Sequence, residues 1–189
     1  LLSEAGYHGI MPLLYHSLQI ACPEAVPASV LGQLRAFSQA NALHNLRLSS
    51  ELLTLLHLFE TQDIAAIPYK GPALAAAVYG SLALRTFSDL DMLVHQRDIP
   101  RIKALLLAQG YRWLPRLGHL LRARTGLYVG SSYLYDDCFA KLHSTGKRLS
   151  LVEVHWETTP QHVLFRLNPA QLWNNLSYIT LCGKPVPVL

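Results

Sequence analysis

The sequence predicts an α/β (α+β) fold: a small mixed sheet with a helical region ahead of it. Three observations predict it. Apolar residues recur at three- and four-residue steps through the first sixty positions. From Ile64 onward the pattern changes to short apolar runs punctuated by Gly and Pro. Two β-rich runs, Cys138–His143 and Leu149–Trp156, then flank the turn-forming Ser144-Thr145-Gly146-Lys147. The division expected is residues 1–62 as the helical region and 63–189 as the sheet-bearing core.

In the helical region, Pro23 and Pro27 separate an early helix from a longer one. The longer helix carries Leu31, Leu34, Phe37, Leu52, Leu55, Leu56 and Phe59. Ile64–Tyr69 reads as a buried strand that ends at Lys70-Gly71-Pro72. Pro72 suits a first helical turn, where a missing N–H costs little, and Ala73–Tyr79 continues with good helix formers. Asp89–Val94 is the next strand. Asp98 is placed to cap a helix whose stripe is Ile99, Ile102, Leu105 and Leu106, with Pro100 in its first turn and Gly110 as its stop. Residues 111–130 show no clear period and hold a basic cluster, Arg112, Arg116, Arg122 and Arg124. After the Cys138–Trp156 hairpin, a short helix near Pro169–Leu176 and one final strand complete the chain.

Composition narrows the class. The chain of 189 residues is 51% hydrophobic and 15% charged, enough apolar material for a packed core. Sixteen Lys and Arg against twelve Asp and Glu leave a charge of +4, which suits an anionic ligand and is also ordinary for a globular domain. Cys22, Cys138 and Cys182 lie far apart without a C-x-x-C pair. That argues against a disulfide framework or a zinc knuckle and points to a reducing, cytoplasmic setting. The stretch from Ala5 to Pro23 lacks formal charge but is broken by His8, Pro12, His16, Ser17 and Gln19, too polar to span a membrane. The opening Leu1-Leu2, without an initiator Met, reads as a fragment of a longer protein.

The chemistry centres on Asp89 and Asp91. Side chains two apart on a strand share a face, so Leu90 and Met92 point the other way, into the core. Two carboxylates about 4 Å apart repel by roughly 4 kcal/mol at an effective dielectric near 20. A hard divalent cation removes that cost and brings substrate phosphates with it. The turn at Lys70-Gly71-Pro72 sets a helix N-terminus upstream, and such a terminus favours anions. It equally reads as a plain tight turn. Glu153 lies inside the apolar run Leu151–Trp156 and shares a face with His155. It is either on an exposed sheet face or a carboxylate that needs a partner or a metal. Arg85 and Ser88 flank the Asp pair, as phosphate and carboxylate contacts or as loop residues. No Ser or His spacing singles out a nucleophile.

The runs Ile-Pro-Tyr-Lys-Gly-Pro-Ala-Leu (67–74), Arg-Thr-Phe-Ser-Asp-Leu-Asp-Met-Leu-Val (85–94) and Val-Glu-Val-His-Trp (152–156) resemble an uncharacterised bacterial nucleotidyltransferase family. That family sits within the DNA polymerase β-like superfamily. His8-Gly9-Ile10-Met11-Pro12-Leu13-Leu14 is similar too, so the resemblance covers nearly the whole chain. It implies that residues 63–189 form a nucleotidyltransferase core that moves a nucleoside monophosphate from an NTP to a hydroxyl acceptor and releases pyrophosphate. It implies Asp89, Asp91 and Glu153 as catalytic ligands of Mg²⁺ or Mn²⁺, and Gly71 and Pro72 as the turn that holds the nucleotide. Beside these, the residues themselves offer Lys70, Arg85 and Ser88 as nucleotide contacts, and His155 either as a group behind the metal ligands or as a structural strand histidine. The acceptor would be a small molecule, a sugar, an RNA end or a protein hydroxyl, with no membrane partner. The sequence departs from the superfamily pattern at Pro72, where Gly or Ser is usual, and Gly80-Ser81 offers a rival phosphate turn. Two other readings stay open: a catalytically degenerate nucleotide-binding or protein-interaction module, and a nucleic-acid-binding domain using the arginine cluster.

Overall fold

The computed structural model describes residues 2–115, 136–157 and 169–189. The N-terminal region is helical throughout: α1 (Leu2–Tyr7), α2 (Met11–Ala21), a 3-10 turn at Pro23–Ala25 and α3 (Ala28–Glu60). At a rise of 1.5 Å per residue, α3 is about 50 Å long. Its buried face runs Leu34, Asn41, Asn45, Leu48, Leu52, Leu55, Phe59, one step of seven and then steps of three and four that keep one stripe turned inward. Among the described residues no helix is long and apolar enough to cross a membrane.

The sheet-bearing part follows in the order β1 (Ala66–Pro68), α4 (Gly71–Tyr79), β2 (Leu90–Val94), α5 (Ile99–Ala108), β3 (Tyr111–Leu114), β4 (Asp136–Leu142), β5 (Arg148–His155), α6 (Pro169–Asn174), β6 (Ser177–Leu181) and β7 (Lys184–Val188). Five strands form one mixed sheet in the order β1-β2-β5-β4-β3. Among the described residues only β2 and β5 run parallel; the other pairs are antiparallel. The expected α+β class, with its helical region and small mixed sheet, is what the chain adopts.

One apolar cluster joins the two parts. Leu48, Leu52, Leu55 and Phe59 of α3 pack with Leu90, Met92, Val152 and Val154 of the central strands and with Ile102 and Leu106 of α5. A smaller cluster, Ala5, Met11 and Leu34, holds the first helices together. At the far end of the sheet α3 is tied by polar bonds: Glu51 accepts from Tyr111 Oη and from Ser150 Oγ (3.3 Å), and Lys141 stands 3.5 Å from it.

Several expected elements shift in detail. The strand expected over Ile64–Tyr69 shrinks to Ala66–Pro68, because the Ile64 N–H bonds back to Phe59 O at 3.0 Å and closes α3. The helix expected with Pro72 in its first turn is present as Gly71–Tyr79, with Pro72 there. Asp98 occupies the cap position of α5, but its carboxylate makes no capping bond. It is drawn instead to Arg101, 3.4 Å away. Gly110 stops α5 in the left-handed conformation, φ +82°. The indeterminate stretch after it begins with β3, an edge strand. The single strand expected at the end is a hairpin, β6–β7, turned by Cys182 and Gly183, both at positive φ as a two-residue hairpin loop requires. Of the arginine cluster, Arg112 is exposed on β3, at the opposite edge of the sheet from β1; Arg116, Arg122 and Arg124 lie outside the described residues.

Candidate active site

The parallel β2–β5 ladder is what assembles the site. Its register sets Asp91 opposite Glu153 and Leu93 opposite His155. Because side chains alternate, Leu90, Met92, Val152 and Val154 are driven into the core at 0% exposure, which turns the acidic positions to the other face. Asp91, Glu153 and His155 then offer one ligand atom each within 4.8 Å of one another. Asp91 and His155 are buried, and Glu153 is partly open. Asp89 stands just ahead of β2, half-buried.

Charge is concentrated here. Burial and then the negative charges of Asp91 and Glu153 push the Asp89 carboxyl above the usual range. Burial pushes Asp91 the same way. Hydrogen bonds from His155 Nε2 and Lys70 Nζ, each 3.1 Å from its Oδ1, outweigh it and hold Asp91 low. The His155 Nε2 also lies 3.5 Å from Glu153 Oε2, and despite burial these two acids raise its basicity. Two carboxylates and an imidazole whose ligand atoms lie within 4.8 Å of one another are a donor set that fits a divalent cation, and Asp89 stands outside that group.

The other expected residues fall around this centre. Lys70 precedes α4 and is half-exposed, its ammonium on Asp91. Gly71 and Pro72 are the buried first residues of α4. Arg85 Nη1 donates to Gly71 O at 3.4 Å, and its guanidinium lies 5.9 Å from the Phe87 ring centre. Ser88 is exposed, one residue before Asp89. Gly80, of the rival turn, is the left-handed C-cap of α4.

Gly71 has a reason to be glycine. Its φ is +53°, and a Cβ there would stand 3.0 Å from the backbone oxygen of Asp89. Gly71→Ala is expected to cost about 1–2 kcal/mol from backbone conformation alone. It should also push Asp89 outward. Urea unfolding of the variant checks the cost; an unchanged midpoint would contradict it.

The structure adds residues that the sequence did not single out. Asp136 opens β4 directly opposite His155, is 1% exposed, and adds its charge to those that raise His155. Tyr69 meets the His155 ring edge to face at 5.4 Å. Asn41 and Asn45 of α3 bond the backbone of the loop that leads to Asp89. The signal for the two Asn was present: an amide inside an apolar helix stripe needs a partner. For Asp136 the only signal was its place beside Asp137 at the head of a strand.

Comparison with known proteins places the chain. Solved structures of related shape include a lincosamide antibiotic adenylyltransferase, LnuA, in its lincomycin-bound form. The TM-score is 0.47 at 13% identity, covering 74% of this chain and 78% of that one. Another is an antigenic nucleotidyltransferase-like protein from Paracoccidioides brasiliensis, with a TM-score of 0.43 at 18% identity, covering 76% of this chain and 60% of that one. No curated protein matches the sequence. The model of the uncharacterised nucleotidyltransferase family matches residues 1–189, from the first α-helix through the carboxylate centre to the last strand, and the chain belongs to that family.

Proposed function

We propose that this chain transfers a nucleoside monophosphate from an NTP to a hydroxyl acceptor at a centre built on Asp89, Asp91 and Glu153. The observation that carries the reading is the β2–β5 register, which sets Asp91 beside Glu153 with Asp89 at the strand entrance. Family membership supports nucleotidyl transfer in general. Mg²⁺ or Mn²⁺ held by Asp89, Asp91 and Glu153 would neutralise the triphosphate and make the α-phosphorus more electrophilic.

The chain's own residues supply the rest. Gly71, at the start of α4, lets backbone approach the phosphates closely, with the helix N-terminus favouring their charge. Lys70 and Arg85 add positive charge on the same side. Ser88, exposed beside Asp89, is placed to donate to a phosphate or carboxylate oxygen. Glu153, the more open of the two paired acids, accepts the acceptor's hydroxyl proton on a carboxylate oxygen. The acceptor oxygen bonds to the α-phosphorus while the bond to the β-phosphate oxygen breaks, and pyrophosphate leaves. His155 orients Asp91 and Glu153 through its Nε2. Residues 63–189 carry this chemistry, residues 1–62 support it, and the expected setting is the cytoplasm.

A second reading has one observation in its favour. Pro72 removes an N–H from the first turn of α4, which weakens an anion site and suits a chain that binds nucleotide without turning it over. The test uses each NTP labelled in the α-phosphate, with Mg²⁺ and fractionated small molecules, RNA and protein as acceptors. Label on one acceptor class, with matching pyrophosphate and loss on chelation, is the expected result. Bound nucleotide without pyrophosphate release in any fraction would select the second reading.

A further inference from the structure

We propose that Asn41 and Asn45 are positioning residues that set Arg85, and with it the loop ahead of Asp89, for the nucleotide phosphates. The inference rests on the phosphate role proposed above for Arg85.

The two amides lie one helical turn apart on α3, in the stripe that further along is Leu48, Leu52, Leu55 and Phe59. Asn45 is 0% exposed and Asn41 is 8% exposed. A buried amide in a leucine position is costly unless its donors are used. Here they all serve one loop. Asn45 Nδ2 donates to Leu82 O at 2.6 Å and to Arg85 O at 2.7 Å; Asn41 Nδ2 donates to Ala83 O and Arg85 O, both at 3.2 Å. The loop between α4 and β2 has no sheet partner for these carbonyls, so the amides take the place of a ladder.

Both amides converge on the carbonyl of Arg85, whose side chain then reaches across to Gly71 O at the start of α4. From the other side the next residue, Thr86, donates its hydroxyl to Gly9 O at 2.8 Å. Gly9 is at φ +67°, and a Cβ there would stand 2.5 Å from Thr86 Oγ1. The loop is thus gripped between α3 and the α1–α2 turn. The helical region holds in place a segment whose own residues make no regular structure, and the arginine at its centre faces the proposed phosphate turn.

Asn41→Ala and Asn45→Ala test this, because alanine keeps the helix propensity of α3 while removing the donors. If Asn45→Ala fails to fold, Asn41→Ala, at the less buried site, carries the test. Hydrogen exchange in the absence of nucleotide is the first readout. Amides of residues 82–86 should exchange about tenfold faster or more, with those of β2 and β5 unchanged. Unchanged protection of 82–86 overturns the proposal.

The second readout is calorimetric binding of each NTP with Mg²⁺, set beside Mn²⁺ binding followed by electron paramagnetic resonance. NTP affinity should fall about tenfold, while Mn²⁺ affinity without nucleotide, carried by Asp91 on β2 and Glu153 on β5 more than by Asp89, moves less than about twofold. In an Arg85→Ala background the Asn substitutions should add nothing further. A merely structural role would weaken Mn²⁺ binding as well and would add to Arg85→Ala, and either result overturns the proposal. If wild type binds no NTP, the proposed function fails, and the exchange readout still decides whether the two amides position the loop.

Discussion

Asp91→Asn should lower metal-dependent turnover by about a thousandfold, roughly 4 kcal/mol of transition-state stabilisation. The substitution keeps the size of the side chain and the β2 packing. It removes the charge that faces Glu153 and holds Lys70 and His155. Fold stability should change little, by about 1–2 kcal/mol. Lys70, half-exposed, can return to water, and the His155 N–H can still donate to the Asn oxygen. Steady-state kinetics with a thermal melt check both halves. Wild-type-like turnover by a folded Asp91→Asn protein would remove Asp91 from the chemistry. Loss of turnover together with loss of fold would mean that its role is to hold β2 and β5 together.

Phe59→Ala should give the largest loss of stability of a single side-chain truncation, about 3–5 kcal/mol. Phe59 is fully buried where the end of α3 meets the sheet, in the cluster that also contains Leu90, Met92, Val152 and Val154. Against a total stability of about 5–15 kcal/mol, that is a large fraction. The expected observation is a urea midpoint moved sharply down with little change in slope, since the surface exposed on unfolding is nearly the same. A shift under about 1 kcal/mol would mean that the helical region and the sheet do not share one core. Whatever protein stays folded should keep its metal affinity, because the carboxylates face away from Phe59 across the sheet.

How much of this was legible in sequence depended on range. α3 was readable because its stripe repeats every three or four residues over many turns. The alternation Asp89-Leu90-Asp91-Met92 announced a strand with acids on one face; the structure starts that strand at Leu90, with Asp89 just ahead of it and Leu90 and Met92 in the core. Glu153 and His155 shared a face by the same alternation. Their position opposite Asp91 and Leu93 is a long-range pairing that no local pattern carries.

His155 was expected behind the carboxylates, and its Nε2 lies within 4.8 Å of both acids' ligand atoms. The register that decides this is invisible in the chain itself. β3 was unreadable because it has only four residues and an exposed Arg112. β7 was hidden by Pro185 and Pro187, which argue against a strand, although a hairpin edge tolerates them. The Asn pair was passed over because attention to apolar periodicity treats polar residues in a stripe as noise. Buried amides are better taken as a request for partners.

The most direct measurement of the central claim is a calorimetric titration of the four NTPs with Mg²⁺ or Mn²⁺ into wild type and into the Asp89→Ala/Asp91→Ala double variant. The carboxylate centre predicts that one NTP binds wild type only with metal present, and that the variant, still folded, binds none. Equal binding by both proteins, or binding that survives chelation, would contradict it.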